Sequence, residues 1–359
     1  MKIHERYLMR EVGAATFLVL FAFIALFSFF DLIHELKDVN RGGYELRHAI
    51  AYVALRMPGR GYELTPISIL IGTLFALTTL ARNSEISVMR VSGLSTASLL
   101  STLFKISGIF ALLTFFFGEV VVPYSERAAQ QFRIQATQSV VAQEFRTGLW
   151  VKDGASFVNI KTVSPDIRLH GIRIFEFDER LALTRVSEAA EGQYVPPDTW
   201  RLLDVTDTYL DPGGARARVE RQAETRWRSV LSPDILSVLL IVPERMSLPH
   251  LITYIHHLVD NRQKAQRYEI AVWKKIVYPL ATLVMVALAL PFGYTHNRVA
   301  GVSLKIFAGV MVGVLFHMLN GLFSSLGAIN SWPPFASAVA PSVLFLAAAA
   351  FLIWWVERR

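Results

Sequence analysis

The chain has 359 residues, of which 53% are hydrophobic, and it carries a formal net charge of +7. This apolar share exceeds what one soluble core needs and therefore indicates several membrane spans. Its Lys and Arg residues are scattered through loops beside apolar runs, which favours contact with anionic lipid head groups over a nucleic-acid surface. The absence of cysteine excludes disulfides, thiolate metal sites and thiol chemistry.

Six apolar runs are long enough to cross a bilayer, which takes about 20 residues of helix. The predicted spans are Glu11–Leu36, Leu64–Leu80, Leu99–Val122, Trp273–Tyr294, Ser303–Leu326 and Pro334–Val356. Pro279 and Pro291 predict kinks in the fourth span. Between the first two spans, Tyr44–Arg56 is predicted to lie along the interface as an amphipathic helix. An even number of spans places both termini on one side, and the distribution of Lys and Arg predicts that this side is cytoplasmic.

The region between the third and fourth spans is predicted to form a separate, water-facing β domain. Its strand-like runs are Ser156–Val163, Gly171–Phe177, Trp200–Leu210 and Arg216–Arg228. They are short, rich in β-branched and aromatic residues, and separated by Pro, Gly and Asp turn signals. The predicted organisation is therefore a six-helix membrane bundle with an inserted antiparallel, jelly-roll-like β domain at 126–265, between bundle parts 1–125 and 266–359.

Alternation within the β runs is imperfect. Ile172 and Ile174 share one face, whereas Phe175 and Phe177 fall on the other. Strands that are apolar on both faces could line a cavity for a fatty ligand, or one face could meet a neighbouring domain. The pattern leaves both interpretations open.

Motifs for catalysis are missing from the sequence. No Gly-Lys dipeptide occurs, so the phosphate-binding P-loop is excluded. His256-His257 lacks the Glu and the spacing of a zinc-protease helix, and the segment after Gly93 lacks the second Gly of a nucleophile elbow. A transporter built on this chain must therefore take its energy from another chain, although a membrane enzyme acting on a lipid head group stays an alternative.

The link between the second and third spans, about residues 82–96, predicts a short helix. Ile86, Met89 and Gly93 follow at i, i+3 and i+7, which gives a narrow face of apolar and small residues. Such a helix on the cytoplasmic side is typical of membrane subunits that dock into a groove of an ATPase, and the alternative is a helix lying on lipid. The predicted ATPase-coupling residues are Arg82, Glu85, Ile86, Met89 and Arg90.

Three stretches resemble the lipopolysaccharide export permeases, the LptF/LptG family. They are Ser84–Gly93, Gly118-Glu119 with Pro123, and Gly148–Gly154 leading into Phe157-Val158. The resemblance covers essentially the whole chain, and Gly148–Gly154 is closer to the LptG branch than to the LptF branch. A permease for another envelope lipid or lipoprotein is the alternative, but such permeases usually have four spans with the insert after the first.

The resemblance implies a multi-pass protein of the bacterial inner membrane with a periplasmic β domain. It implies a heterodimer with an LptF-type permease on two LptB-type ATPase subunits, which would hold ATP and magnesium, so that this chain itself needs no cofactor or metal. Lipopolysaccharide would be extracted from the membrane and passed through the β domain to a bridge that begins with an LptC-type protein. Glu85 would contact the ATPase, and the first and fifth spans would form lateral gates.

Candidate substrate residues follow from this chemistry. Cations at the outer mouth of the substrate cavity should bind the phosphorylated head group of the lipid. The alternative is that they only snorkel to the head groups of the surrounding bilayer. The candidates are Lys37, Arg41, Arg127 and Arg133. Asp31 and Asp38 stand where family members can carry Lys. The hypothetical acyl-chain track comprises Phe157, Ile172, Ile174, Phe175 and Trp200.

The fifth span carries two further features. Gly309 and Gly313 form a close-approach motif, either for gate packing or for packing within the chain's own bundle. His317 and Asn320 lie at i and i+3 and are interpreted as structural hydrogen-bonding residues.

Overall fold

The computed structural model describes residues 3–39, 43–93, 95–137, 148–164, 168–178, 182–210, 217–229, 231, 243–260, 263–294 and 302–358. Its helices are α1 (Ile3–Glu35), α2 (Leu46–Arg82), α3 (Glu85–Val91), α4 (Thr96–Phe116), α5 (Val122–Thr137), α6 (Leu248–Asp260), α7 (Gln266–Val277), α8 (Ala281–Tyr294), α9 (Val302–Asn330) and α10 (Pro334–Glu357). Its strands are β1 (Leu149–Asp153), β2 (Ser156–Val163), β3 (Leu169–Phe177), β4 (Leu183–Val195), β5 (Thr199–Leu210) and β6 (Ala217–Arg228).

Six helical segments in the described residues are long and apolar enough to span a membrane, which confirms the predicted number. They are Ile3–Asp38, Leu46–Arg82, Ala97–Arg133, Gln266–Pro291, Ser303–Asn330 and Pro334–Trp355. The second segment is the centre of the bundle, since 83% of its apolar window is buried, against 11% for the first and 22% for the fifth. The fold class predicted from the sequence is therefore correct.

The predicted interfacial helix at Tyr44–Arg56 is wrong. It belongs to α2, which runs unbroken for 37 residues and contains Pro58 and Pro66. Its polar first half packs against other helices, because Tyr52 is buried and Arg56 and Arg60 pair with carboxylates of those helices. Tertiary pairing of these charges thus overrides the local amphipathic pattern.

Two other spans differ from the predicted single helices. After α4 the third span passes through a π-helical segment, Phe117–Val121, and continues as α5, so the predicted domain boundary near residue 125 falls inside a helix. The fourth span is interrupted at the predicted kink, where a 3₁₀ turn at Tyr278–Leu280 contains Pro279 and separates α7 from α8. Proline there cannot donate the backbone hydrogen bond that a continuous helix needs.

The inserted domain is one antiparallel sheet whose strands follow each other in chain order from β1 to β6. The described strands thus form an up-and-down meander, and the crossover of a complete jelly roll is not found among them. Four strands were predicted, with ends that agree within two residues at most. The predictions missed β1 and β4, because β1 is short and β4 mixes charged, small and apolar residues.

A row of skipped pairs crosses the middle of the sheet at Gly171, Ala190 and Asp204. Gly171 and Asp204 have positive φ angles of 62° and 50°. The side-chain alternation shifts by one residue in each strand at this row, while the pairing register is the same on both sides of it. Consequently Trp200 and Val205 both reach the same buried core.

Candidate functional site

The short helix α3 is positioned by residues with positive φ on both sides. Ser84 precedes it with φ 59° and Gly93 follows it with φ 96°. Ile86 is only 5% exposed and packs into the core of the bundle, and Met89 is half-buried. The predicted apolar face is therefore turned largely towards the chain's own bundle, whereas Val88 and Val91 are 64% and 91% exposed. Arg82 and Arg90 are also exposed.

Glu85, the first residue of α3, connects this helix to α1. Its Oε2 accepts a hydrogen bond from the Tyr7 hydroxyl at 2.8 Å, and its Oε1 accepts one from Asn83 Nδ2 at 3.3 Å. Nearby, Lys105 of α4 pairs with Glu5 of α1 at 2.7 Å. The start of α1 is thus bound to both neighbouring elements, and a displacement of α3 would act on α1 directly.

At the opposite end of α1, a chain of alternating charges links four elements. Arg60 of α2 holds Asp31 of α1 with two hydrogen bonds of 2.6 and 2.8 Å. The same arginine contacts Glu63 of α2 at 3.2 Å. Glu63 in turn accepts a bond of 2.9 Å from Arg245, whose other Nη donates to Glu126 of α5 at 2.9 Å. These contacts form a continuous path from α1 to α5.

Arg245 is the buried member of this chain and lies in a 3₁₀ turn at Pro243–Arg245. Burial disfavours its charged form, but the carboxylates of Glu63 and Glu126 outweigh this effect and raise the pKa of Arg245. The guanidinium therefore stays charged. Arg56 approaches the second oxygen of Glu126 at 3.6 Å, so this carboxylate lies between two arginines.

Among the predicted head-group residues, Arg133 is held in an ion-pair cluster. Its Nε lies 3.2 Å from Glu35 and its Nη2 lies 3.1 Å from Asp38. Tyr44 donates to Glu35 at 3.1 Å, and burial together with the Glu35 charge raises the pKa of Tyr44. Glu35 and Asp38 thus neutralise the charge of Arg133, one of the predicted head-group residues.

The other predicted head-group residues are not brought into this cluster. Lys37 is exposed in the 3₁₀ turn Leu36–Asp38, and Arg127 is half-buried on α5. Arg41 lies outside the described residues. In the described residues, this end of the bundle accordingly carries mixed charge.

The Gly118-Glu119 pair lies in the π-helical segment. A Cβ on Gly118 would come within 2.5 Å of the Tyr62 ring, so only glycine fits this crossing. Both carboxylate oxygens of Glu119 accept from the backbone N–H of Leu248, at 3.0 and 3.1 Å. Lys275 of α7 lies 3.6 Å from Glu119 and donates to the carbonyl of Met246. Glu119 thus attaches the start of α6 to the bundle.

The five residues of the predicted acyl track divide between the two faces of the sheet. Ile172, Ile174 and Trp200 lie in the buried core, where Trp200 Nε1 donates to the carbonyl of Leu231 at 2.7 Å. Phe157, 41% exposed, and Phe175 lie on the opposite face. There Phe175 stacks on Trp150 with 5.6 Å between ring centroids. The five residues therefore do not share one face of the sheet, because paired strands direct alternate side chains to opposite faces.

The glycines of α9 pack within the chain. A Cβ on Gly309 would meet Leu74 at 2.2 Å, and one on Gly313 would meet Ile67 at 3.0 Å, both side chains of α2. The intrachain alternative is thus the one that the structure supports. Asn320 donates to the Phe316 carbonyl at 3.0 Å, as expected of a structural residue, whereas His317 is exposed.

Sequence reasoning missed Arg245, Glu63, Glu126 and Lys275. A signal was present, since Glu63 and Lys275 are charged residues within or beside apolar runs, where an ionisable group needs a partner. Their partners are distant in sequence, so the pairing could not be read. In the described residues, no group of three His, Asp or Glu is arranged to hold a metal ion.

A bundle of six candidate spans, with buried ion pairs among them and a β domain inserted after the third, is the fold of a multi-pass membrane protein. The chain belongs to the family described as lipopolysaccharide export system permease LptF/LptG, whose profile matches residues 6–355. It is 30% identical over 358 residues to the lipopolysaccharide export system permease protein LptG of Escherichia coli K12, covering 99% of this chain and 98% of that protein. It is 28% identical over 356 residues to LptG of Haemophilus influenzae, with the same coverage.

Proposed function

We propose that this chain is the permease subunit of an ABC transporter that extracts lipopolysaccharide from the inner membrane and passes it to a periplasmic bridge. The observation that carries this proposal is the match to the LptF/LptG family over residues 6–355. The six candidate spans and the inserted sheet agree with it.

Energetics support a separate energy source and a sheltered path. Each CH₂ withdrawn from the bilayer costs about 0.8 kcal/mol, so a lipid with several acyl chains costs tens of kcal/mol to extract. The sequence has no Gly-Lys dipeptide and hence no P-loop. ATP and magnesium would therefore bind to two LptB-type partner subunits, with an LptF-type permease completing the membrane part and an LptC-type protein receiving the lipid.

The proposed orientation has cytoplasmic termini, with α3 cytoplasmic and the sheet periplasmic. It is supported by Lys and Arg residues near the termini and in the 82–105 link, as the positive-inside rule requires. The domains proposed are the spans within 1–125, the β domain within 126–265, and the spans within 266–359. Labelling of Ala217→Cys, in an otherwise cysteine-free chain, by a membrane-impermeant reagent in spheroplasts tests the position of the sheet.

In this proposal α3 is the helix that docks on the ATPase. Its outward surface is formed by Val88 and Val91 together with Arg82 and Arg90, whereas Ile86 and Met89 anchor the helix to the bundle. Glu85 lies at the junction between α3 and α1. This arrangement could pass a movement of the ATPase to α1.

Glu85→Ala should weaken both co-purification of the ATPase and lipid export, while membrane insertion stays intact. Tyr7→Phe is the matched control, since it removes only the hydrogen bond to α1. If Glu85 contacts the ATPase, Tyr7→Phe retains co-purification and reduces only export. Normal assembly and export in Glu85→Ala would contradict the docking proposal.

For the head group we propose that Lys37, Arg41, Arg127 and Arg133 provide the positive charge, with Arg133 partly neutralised by Glu35 and Asp38. Asp38→Asn should then strengthen binding of phosphorylated lipid relative to dephosphorylated lipid. Equal affinities of Asp38→Asn and the unmodified chain for both lipids would contradict this role of Arg133.

For the acyl chains we propose the face of the sheet that carries Ile172, Ile174 and Trp200. Photo-reactive residues at Ile172 and Ile174 should capture lipopolysaccharide during ATP hydrolysis. The same residues at Phe157 and Phe175, on the opposite face, should capture less. Preferential capture from Phe157 and Phe175 would reverse the assignment of faces.

A further inference from the structure

Two chain connections join the β domain to the helical bundle. The outgoing connection begins with α5, which ends at Thr137, and the returning connection re-enters the described structure at Pro243–Arg245, just before α6. Near the bundle, these two connections are bound to each other through one side chain, that of Arg245.

The guanidinium of Arg245 uses separate nitrogens for separate elements. Its Nη1 donates to Glu126 Oε2 on α5 at 2.9 Å, and its Nη2 donates to Glu63 Oε1 on α2 at 2.9 Å. The side chain is 9% exposed, and that of Glu126 is 4% exposed. The outgoing connection, the returning connection and the central helix therefore meet at one buried group.

Such an arrangement depends on geometry more than on charge alone. A planar guanidinium presents several donors at fixed angles, which a lysine ammonium cannot do. A buried ion pair seldom adds much net stability, because desolvation offsets the attraction. Its value here is that it fixes the positions of three elements.

A second set of contacts holds the same short segment. Glu119 accepts from the backbone of Leu248, and Lys275 donates to the carbonyl of Met246. Residues 245–248 are thus bound to α2, α5, the π-helical segment and α7. Glu119 serves this attachment, whereas Gly118 beside it allows the close contact with the Tyr62 ring.

We propose that Arg245 is a positioning residue that pins the returning connection to α5 and α2 and so fixes the direction in which the β domain leaves the bundle. Through Glu63 and Arg60 the same chain of charges reaches Asp31 on α1. A rearrangement of α1 and α2 is thereby passed to the β domain. This inference rests on the proposed function only for the identity of the transferred lipid.

The test uses the full chain in its membrane complex. Since the sequence has no cysteine, spin labels can be placed at Leu46→Cys on α2 and Ala217→Cys on β6, both exposed. Distances between the labels are compared for the unmodified chain, Arg245→Met, Arg245→Lys and Glu126→Gln. Arg218→Met, at a side chain that is 78% exposed, is the control.

Arg245→Met should broaden the distance distribution, and Glu126→Gln should broaden it less. Arg245→Lys retains the charge but lacks the planar donors of the guanidinium, so its distance distribution should be intermediate in width. Arg218→Met should give the same distribution as the unmodified chain. In Arg245→Met, capture of lipid by the β domain should fall about fivefold or more, the usual scale of coupling between sites, while the partner still hydrolyses ATP. A purely structural role would reduce both activities together with the yield.

Unchanged distributions in Arg245→Met would overturn the proposal. If Arg245→Met does not assemble, Arg245→Lys and Glu126→Gln provide the test. The proposal would then be overturned if both variants gave the same distance distribution as the unmodified chain. The distance measurement needs no lipid. A chain that fails to transfer lipopolysaccharide would therefore refute the proposed function without affecting the result for Arg245.

Discussion

At the scale of single residues, Gly72 marks a close approach of α1 and α2. A Cβ at this position would lie 2.6 Å from the backbone N and Cα of Thr16, and backbone atoms cannot move aside as a side chain can. Gly321 on α9 is also helical, but a Cβ there would meet nothing within 4 Å.

Gly72→Ala should therefore lower the free energy of unfolding by about 1–3 kcal/mol, as overpacking does. Gly321→Ala should leave it unchanged or raise it by up to about 1 kcal/mol, because alanine favours helix. Denaturant titration in detergent, followed by tryptophan fluorescence, measures both variants. Equal effects of the two substitutions would contradict the packing described for α1 and α2.

His257 on α6 gives stability a dependence on pH. The side chain is buried against the Tyr254 ring, and this burial lowers the pKa of His257, although Asp153 and Asp260 act in the opposite direction. Because the folded pKa lies below the unfolded value of about 6.5, the neutral form contributes stability above that pH. This contribution is lost as the pH falls through the folded pKa.

Lowering the pH from about 7 to about 5 should thus reduce the midpoint of thermal unfolding. His257→Gln should flatten this dependence, whereas His256→Gln, at an exposed position, should retain it. Thermal scans at matched ionic strength measure the slopes. If the unfolding midpoint depended on pH with the same slope in His257→Gln and in the unmodified chain, another group would be responsible for the pH dependence.

At the scale of elements, the sheet has two apolar faces with different roles. Trp200 is fully buried and donates to the Leu231 carbonyl, whereas Trp150 is 53% exposed and stacks on Phe175. The first tryptophan holds the core together, and the second covers part of the outer surface.

Trp200→Phe should cost about 1–3 kcal/mol, because it leaves a buried carbonyl without its donor. Trp150→Phe should change stability by no more than about 0.5 kcal/mol, as for most surface substitutions. Hydrogen exchange of the β2–β5 amides in the full chain reports both effects. A larger loss of protection from Trp150→Phe would mean that the two faces are assigned the wrong way round.

At the scale of the whole molecule, α1 and α9 present apolar surfaces that the described bundle does not cover. Phe21 of α1 is 75% exposed, and Met318 of α9 is 64% exposed. Lipid or a second permease would cover these surfaces. His317 is exposed on this surface of α9.

The purified chain should hydrolyse ATP no faster than buffer, because it lacks a P-loop. Hydrolysis should appear on addition of the ATPase subunits, and it should fall when the added chain carries Glu85→Ala. Release of inorganic phosphate from proteoliposomes measures this rate. Hydrolysis by the chain alone would contradict the proposal that a separate subunit hydrolyses ATP.

The sequence by itself determined the six spans, the position of the β domain and the short helix between the second and third spans. These features depend on local signals, namely apolar length, alternation with turn residues, and a Gly that ends a helix. The 84–93 stretch was sufficient to place α3. Of the two kinks predicted in the fourth span, that at Pro279 marks the interruption between α7 and α8, whereas α8 continues through Pro291.

Only the tertiary structure decided which charges meet and which faces are buried. Arg245 lies 182 residues from Glu63 and 119 from Glu126, and no local pattern links positions that far apart. The face of Trp200 is decided in the same way, since β3, β4 and β5 must be aligned before Trp200 and Ile172 can be assigned to one core. A buried charge is costly unless an opposite charge lies beside it. Because these partners are distant in sequence, only the folded chain brings them together into a buried network.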